Sequence, residues 1–216
     1  MPRPSAAARG GGHGAPPRIP PALPWLVAGV LLPLAAFAVL AAMVAAGPPG
    51  FDLSLAGVAQ RGVGGAMDPA WLLLSRFGHE WGVVPVDIAL VALLLLRRRW
   101  RGGLFAAVAL GGSGLLNMAA KQLFARARPE LWTPLAPEHT FSFPSGHAMG
   151  SMTLAWVLVL LAVQARWRWP LVAAMAVFTA GVGWSRVHLG VHYPSDVLAG
   201  WLLATAWSVA AWLAMR

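Results

Sequence analysis

The chain contains no cysteine, which excludes a disulfide scaffold, a zinc–thiolate centre and an iron–sulfur cluster and leaves the redox compartment open. Charge is scarce too. Asp, Glu, Lys and Arg make up 11% of the 216 residues against 58% hydrophobic, too little for an ordinary soluble domain. Acids are the rarest charges, seven against sixteen bases, and Lys121 is the only lysine beside fifteen arginines. The net charge of +9 does not point to nucleic acid, because the arginines are scattered over short loops with no basic face and no recognition motif. Orientation in a bilayer accounts for that distribution, and the composition reads as a multi-pass membrane protein.

Residues 1–22 are rich in Gly, Pro, Ala and Arg, with almost no large apolar side chain before Ile19. Such a segment buries too little surface to offset its chain entropy, so it is expected to be a disordered tail. The membrane domain is expected over residues 23–216. Its first span, 23–46, is long enough to cross about 30 Å of hydrocarbon and exceeds the apolar core of a signal peptide, the rival reading of this end. Residues 47–80 mix Gly, Pro and charges with Leu and Trp, as in an amphipathic helix lying in the headgroup zone without crossing. Five further spans follow at about 81–96, 102–124, 148–163, 169–184 and 197–215. The expected fold is therefore an all-α bundle of six transmembrane helices.

Six crossings put both termini on one side. The tail, the 97–101 and 166–168 loops and Arg216 carry ten arginines and no acid, which marks that side as cytoplasmic in an inner, plasma membrane. Three polar clusters then share the opposite, extracytoplasmic rim. The first is Lys121 with Arg128-Pro129, the second Pro144-Ser145-Gly146-His147, and the third Ser185-Arg186 with His192 and Asp196.

Each cluster alone has a plain structural account. Ser145 would cap the helix behind it, His192 and Asp196 would form a surface hydrogen-bonded pair, and the cations would snorkel to the interface. Together they hold the parts of a phosphate site. Pro144 to His147 stand before an apolar helix whose N-terminal N–H groups favour an anion, Ser145 adds a hydroxyl, and Gly146 admits an oxyanion close to the backbone. Lys121, Arg128 and Arg186 can neutralise a phosphoryl group, and Asp196, four residues after His192, can orient its imidazole. His188 with His192 and Asp196 falls short of a metal site, and no metal is expected. Asp87, inside the second span, is an intramembrane acid with no assigned role.

Lys121-x6-Arg128-Pro129, Pro144-Ser145-Gly146-His147 and Ser185-Arg186-x5-His192-x3-Asp196 together resemble the tripartite signature of the type 2 phosphatidic acid phosphatase family, which shares its site with vanadium haloperoxidases. The resemblance covers about residues 115–200, and the six-span layout extends it from residue 23 to the end. It implies a membrane lipid phosphatase working without cofactor on a phosphomonoester or pyrophosphate lipid such as undecaprenyl pyrophosphate or phosphatidic acid. It further implies His192 as nucleophile forming a phosphohistidine, Asp196 holding its ring, and His147 as acid and then base. Lys121, Arg128, Ser145, Gly146 and Arg186 would cradle the phosphoryl oxygens. A haloperoxidase, a lipid phosphotransferase and a non-catalytic lipid carrier or scramblase on the same scaffold are the competing functions. Oligomeric state is not readable, although Gly111-Gly112-x-Gly114 allows close helix packing.

Overall fold

A computed structural model describes residues 21–216 and, among these, contains helices and no strand. The tail expected at 1–22 lies outside the described residues except for Pro21 and Ala22, which open the first helix. That rod joins α1 (Ala22–Leu26), a π turn (Val27–Leu31) and α2 (Leu32–Ala46) over 25 residues. The turn has a cause in Pro33, which has no N–H for the carbonyl one turn before it and so loosens the ladder locally.

Short helices α3 (Gly50–Gln60) and α4 (Asp68–Phe77) follow, then α5 (Val83–Leu96), α6 (Trp100–Phe124), α7 (Gly146–Leu161), α8 (Arg168–His188) and α9 (Pro194–Met215). Among the described residues, four helices are long and apolar enough to cross a membrane: Ala22–Ala46, Trp100–Phe124, Arg168–His188 and Pro194–Met215. At the expected second and fourth spans stand shorter apolar helices, α5 with 14 residues and α7 with 16, below the roughly 20 needed to cross upright. Large apolar side chains face outward throughout, among them Leu96 at 81%, Leu123 at 78% and Val177 at 75% exposure, as suits a surface solvated by lipid.

The bundle is built around α7 and α9, which contact each other more extensively than any other pair among the described residues. Their approach depends on Gly200: a Cβ there would lie 2.8 Å from the Ser145 carbonyl oxygen and 3.1 Å from the Met149 nitrogen. Leu94, Phe105, Ala106, Ala109, Val157, Leu160 and Ala211 form one buried core between α5, α6, α7 and α9. Within the Gly-rich stretch of α6, Gly112 admits the Trp207 indole, so this glycine serves packing inside the chain.

The arginine-rich loops and the C-terminus meet at one end, where Arg101 donates to the Met215 carbonyl (3.2 Å) and borders Gln164 and Arg216. The three polar clusters meet at the other. There α3 and α4 pack over α8 and α9, adding an inner polar face that carries Asp52 and Ser75.

Gly200→Ala presses a methyl on backbone atoms and is expected to destabilise the protein by about 1 to 3 kcal/mol, seen as a lower unfolding midpoint in detergent. Gly111→Ala, whose Cβ meets nothing within 4 Å, is the control and leaves the midpoint unchanged or higher.

Candidate active site

The site gathers from three helix ends and one loop. Helix α9 starts at Pro194, whose missing N–H costs nothing at that position and whose fixed φ suits a first turn. Asp196 in that turn accepts the Tyr193 N–H (2.8 Å) and lies with Oδ2 3.5 Å from His192 Nδ1. Ser142 donates its hydroxyl to the same Oδ2, and Arg126 Nη1 donates to Oδ1 at 2.6 Å. The Asp196 carbonyl takes the Ser145 N–H (2.9 Å), so the residue also anchors the turn that opens α7.

On the other face of His192, Arg128 Nη1 lies 3.2 Å from Nε2. A guanidinium nitrogen only donates, so Nε2 accepts and the ring proton sits on Nδ1, aimed at Asp196. His192 is 2% exposed, and burial pushes its pKa down to about 4 although the Asp196 hydrogen bond pulls the other way. The imidazole is therefore neutral at pH 7, with its lone pair facing the arginines.

Arg128 is fixed from several sides, Nε to the Thr140 carbonyl (2.7 Å) and Nη1 to the Val191 carbonyl (2.7 Å). Its Nη2 donates to Glu138 Oε2 at 2.6 Å, while the other Glu138 oxygen receives Arg186. Arg186, 1% exposed in the last turn of α8, also donates to Ser75 of α4. Glu138 Oε1 stands 3.9 Å from His147 Nδ1. Burial alone would raise the Glu138 carboxyl, but Arg186, with Arg128 and Lys121, holds it below its ordinary value, so it is a carboxylate. The acid thus spans both arginines, as two oxygens of a phosphoryl group would. Two buried donors, Ser145 Oγ and Arg186 Nε, have no partner.

The structure brings Arg128, Arg186, His147, His192 and Asp196 together, and sets Ser145 and Gly146 at the start of α7, tied to Asp196. Lys121 sits at the rim, where its ammonium bonds Thr140 Oγ1 (3.3 Å) and the Phe141 carbonyl. A Cβ at Gly146 would lie 3.2 Å from Asn117 Oδ1, so that side chain would have to give way by a few tenths of an ångström. His188 turns away from His192 and pairs with Asp68 of α4 (Nε2 to Oδ1, 2.7 Å). His79, Glu80 and His147 are, among the described residues, the three whose ligating atoms come within 4.8 Å of one another.

Sequence reasoning did not single out Glu138, Asp52, Ser142 or Ser195. Asp52 is 0% exposed and accepts Arg126 Nη2 (3.0 Å), the Ser195 N–H (2.8 Å) and the Ser195 hydroxyl (2.6 Å). It completes a chain running Asp52, Arg126, Asp196, His192. The one signal available was the scarcity of acids, which makes each of the seven worth tracing.

Residues 102–216 match the family model of the PAP2 superfamily. The chain is 37% identical over 140 residues to an undecaprenyl-diphosphatase of Sulfolobus acidocaldarius, covering 62% of this chain and 64% of that protein. It is 31% identical over 135 residues to phosphatidylglycerophosphatase B of Bacillus subtilis, covering 60% and 66%. It thus aligns with slightly less than two thirds of the length of these relatives. The crystal structure of a transmembrane PAP2 type phosphatidylglycerolphosphate phosphatase from Bacillus subtilis superposes with a TM-score of 0.75 at 25% identity, over 84% of this chain and 92% of that one.

Glu138→Gln removes the charge that competes for the two arginines. Inorganic phosphate, titrated calorimetrically into the purified protein, is expected to bind about tenfold more tightly, or roughly 1.4 kcal/mol. Unchanged or weaker binding counts against competition for a shared berth.

Proposed function

The chain belongs to the PAP2 superfamily, and on that premise we propose that it is an integral-membrane lipid phosphatase that hydrolyses a phosphomonoester or pyrophosphate lipid through a phosphohistidine, without a metal. The observation that carries this reading is the Glu138 carboxylate held between Arg128 and Arg186 next to His192 Nε2. Such a cradle fits a tetrahedral anion and leaves a neutral, oriented imidazole against it. The unpartnered Ser145 hydroxyl and Arg186 Nε–H supply two further donors for its oxygens.

In the proposed reaction the phosphoryl group displaces Glu138, and His192 Nε2 attacks phosphorus. The N–P bond forms as the bond to the lipid oxygen breaks, and His147 gives that oxygen its proton. Asp196 stabilises the positive charge that grows on the His192 ring. A water molecule then attacks phosphorus, yielding its proton to His147, and the N–P bond breaks to release inorganic phosphate. Lys121, Arg128, Arg186 and the first N–H groups of α7 hold the equatorial charge throughout. The rim that carries this site, opposite the acid-free arginine loops, is proposed to face the extracytoplasmic side, with six crossings and both termini cytoplasmic.

His192→Ala should abolish phosphate release while the protein still inserts, and the wild-type activity should survive excess chelator. Loss in chelator that is restored by a divalent ion defeats the metal-free reading. Because burial holds the His192 pKa near 4, protonation of the nucleophile should cost kcat/KM nothing until the pH approaches 4, which places the acid limb there. A limb near the ordinary histidine value would mean that a less buried group is the nucleophile.

The absence of native cysteine makes sidedness directly testable. A membrane-impermeant thiol reagent should label Glu130→Cys in intact cells and Trp100→Cys only after permeabilisation. The opposite pattern overturns the orientation.

A further inference from the structure

Between α5, α6 and α7 runs a groove of about 290 Å³ that opens at Gly146 and is lined by His79, Asp87, Ser113, Gly114 and Asn117, among others. It adjoins the candidate site directly, for the His79 ring lies on that of His147 with centroids 4.8 Å apart and planes 31° apart. A larger groove of about 380 Å³ against α7 and α8 is walled mainly by apolar side chains such as Met152, Trp156, Val159 and Met175.

Hydrogen bonding in the smaller groove is incomplete. Ser113 is paired with Thr153 at 2.8 Å. Asn117 spends its Nδ2 on the Pro144 carbonyl (3.2 Å) and Met149 Sδ (3.6 Å), which leaves its Oδ1 as an open acceptor. Asp87 Oδ1 is buried with no hydrogen-bond partner, and so is His79 Nδ1. The groove therefore carries polar side chains whose bonding is incomplete, the Asp87 carboxyl and the Asn117 carbonyl among them able to accept, while His79 donates or accepts according to its tautomer. At this depth between apolar helices, unanswered acceptors are costly, and an acyl or prenyl chain has no hydrogen to give them. Hydroxyl groups do. An ammonium would also donate, but it would have to sit beside Arg128, Arg186 and Lys121.

We infer that this groove seats the hydroxyl-bearing part of the lipid leaving group, a glycerol or sugar, with Asp87 and Asn117 accepting from its hydroxyls. The inference rests on the phosphatase reading above, in which His147 protonates the leaving oxygen and the groove beside it receives the departing group. It makes a phosphorylated polyol lipid, such as phosphatidylglycerophosphate, a better substrate than a polyprenyl pyrophosphate, whose leaving group carries no hydroxyl besides the phosphate oxygen that His147 protonates. The named activities of the two relatives fall on either side of this distinction.

The test uses two variants that leave the proposed catalytic groups intact. Asp87→Leu removes the acceptor without burying a new polar group, and Gly114→Met fills the groove, since a Cβ at Gly114 meets nothing within 4 Å. Purified wild type is expected to favour phosphatidylglycerophosphate over undecaprenyl pyrophosphate in kcat/KM. Each variant should lose about tenfold or more on the first substrate while changing less than twofold on the second. Equal losses on both substrates, no loss on the first, or a wild-type preference for the prenyl substrate each overturn the inference. A second readout needs no turnover: phosphatidylglycerol should raise the thermal midpoint of the wild type but not of Asp87→Leu, and undecaprenol should act alike on both. If that stabilisation appears while no lipid yields phosphate, the phosphatase reading fails and the polyol seat stands. If phosphate is released without either form of discrimination, the seat alone fails.

Discussion

One carboxylate ties the rim of this bundle together. Asp196 takes Arg126, Ser142 and the Tyr193 N–H on its side chain and the Ser145 N–H on its carbonyl, joining the end of α6, the returning loop, the start of α7 and the start of α9. Its own burial is tolerable because each oxygen is answered, one by a guanidinium that is itself neutralised by Asp52. Removing Arg126 would leave two buried carboxylates without their cation. His192 inherits its orientation from this lattice, and Ser142, 3.4 Å from Nδ1, closes the side that Asp196 leaves open.

Glu138 performs the matching task on the other face. Without it, Arg128 and Arg186 would face each other and His147 across a nearly dry space with nothing to balance them. The loop between α6 and α7 supplies that balance and so carries both the balancing acid and, in Thr140 and Phe141, the acceptors that hold Lys121 and Arg128.

Helix positions were legible because long apolar runs interrupted by arginines leave few ways to arrange a membrane chain. The ends were harder to read. The stretch from Ser185 to His188 looks polar enough to stop a span, yet α8 continues through it, since the buried Arg186 and His188 find Glu138 and Asp68 as partners. The site motifs were legible because a glycine-bearing turn before an apolar helix and a histidine four residues before an acid have few other chemical uses when they occur together. Asp52 and Glu138 were not. Their roles arise from contacts with Arg126 and Arg186 that span 74 and 48 residues, with no periodicity to announce them. Asp52 lies in a stretch that reads as a surface helix, and Glu138 in a loop whose prolines say only that it is not helical.

The carboxylate between the two guanidiniums also sets the electrostatics of entry. On the proposed function, a lipid headgroup arriving at this rim would exchange with Glu138, one anion leaving as another seats. Discrimination then falls to how well the newcomer outbids a tethered acid at close quarters. Residues of the loop between α6 and α7 can be altered without touching the helix ends, which on the proposed function would let such a bundle retune its guest while its reactive groups stay where they are.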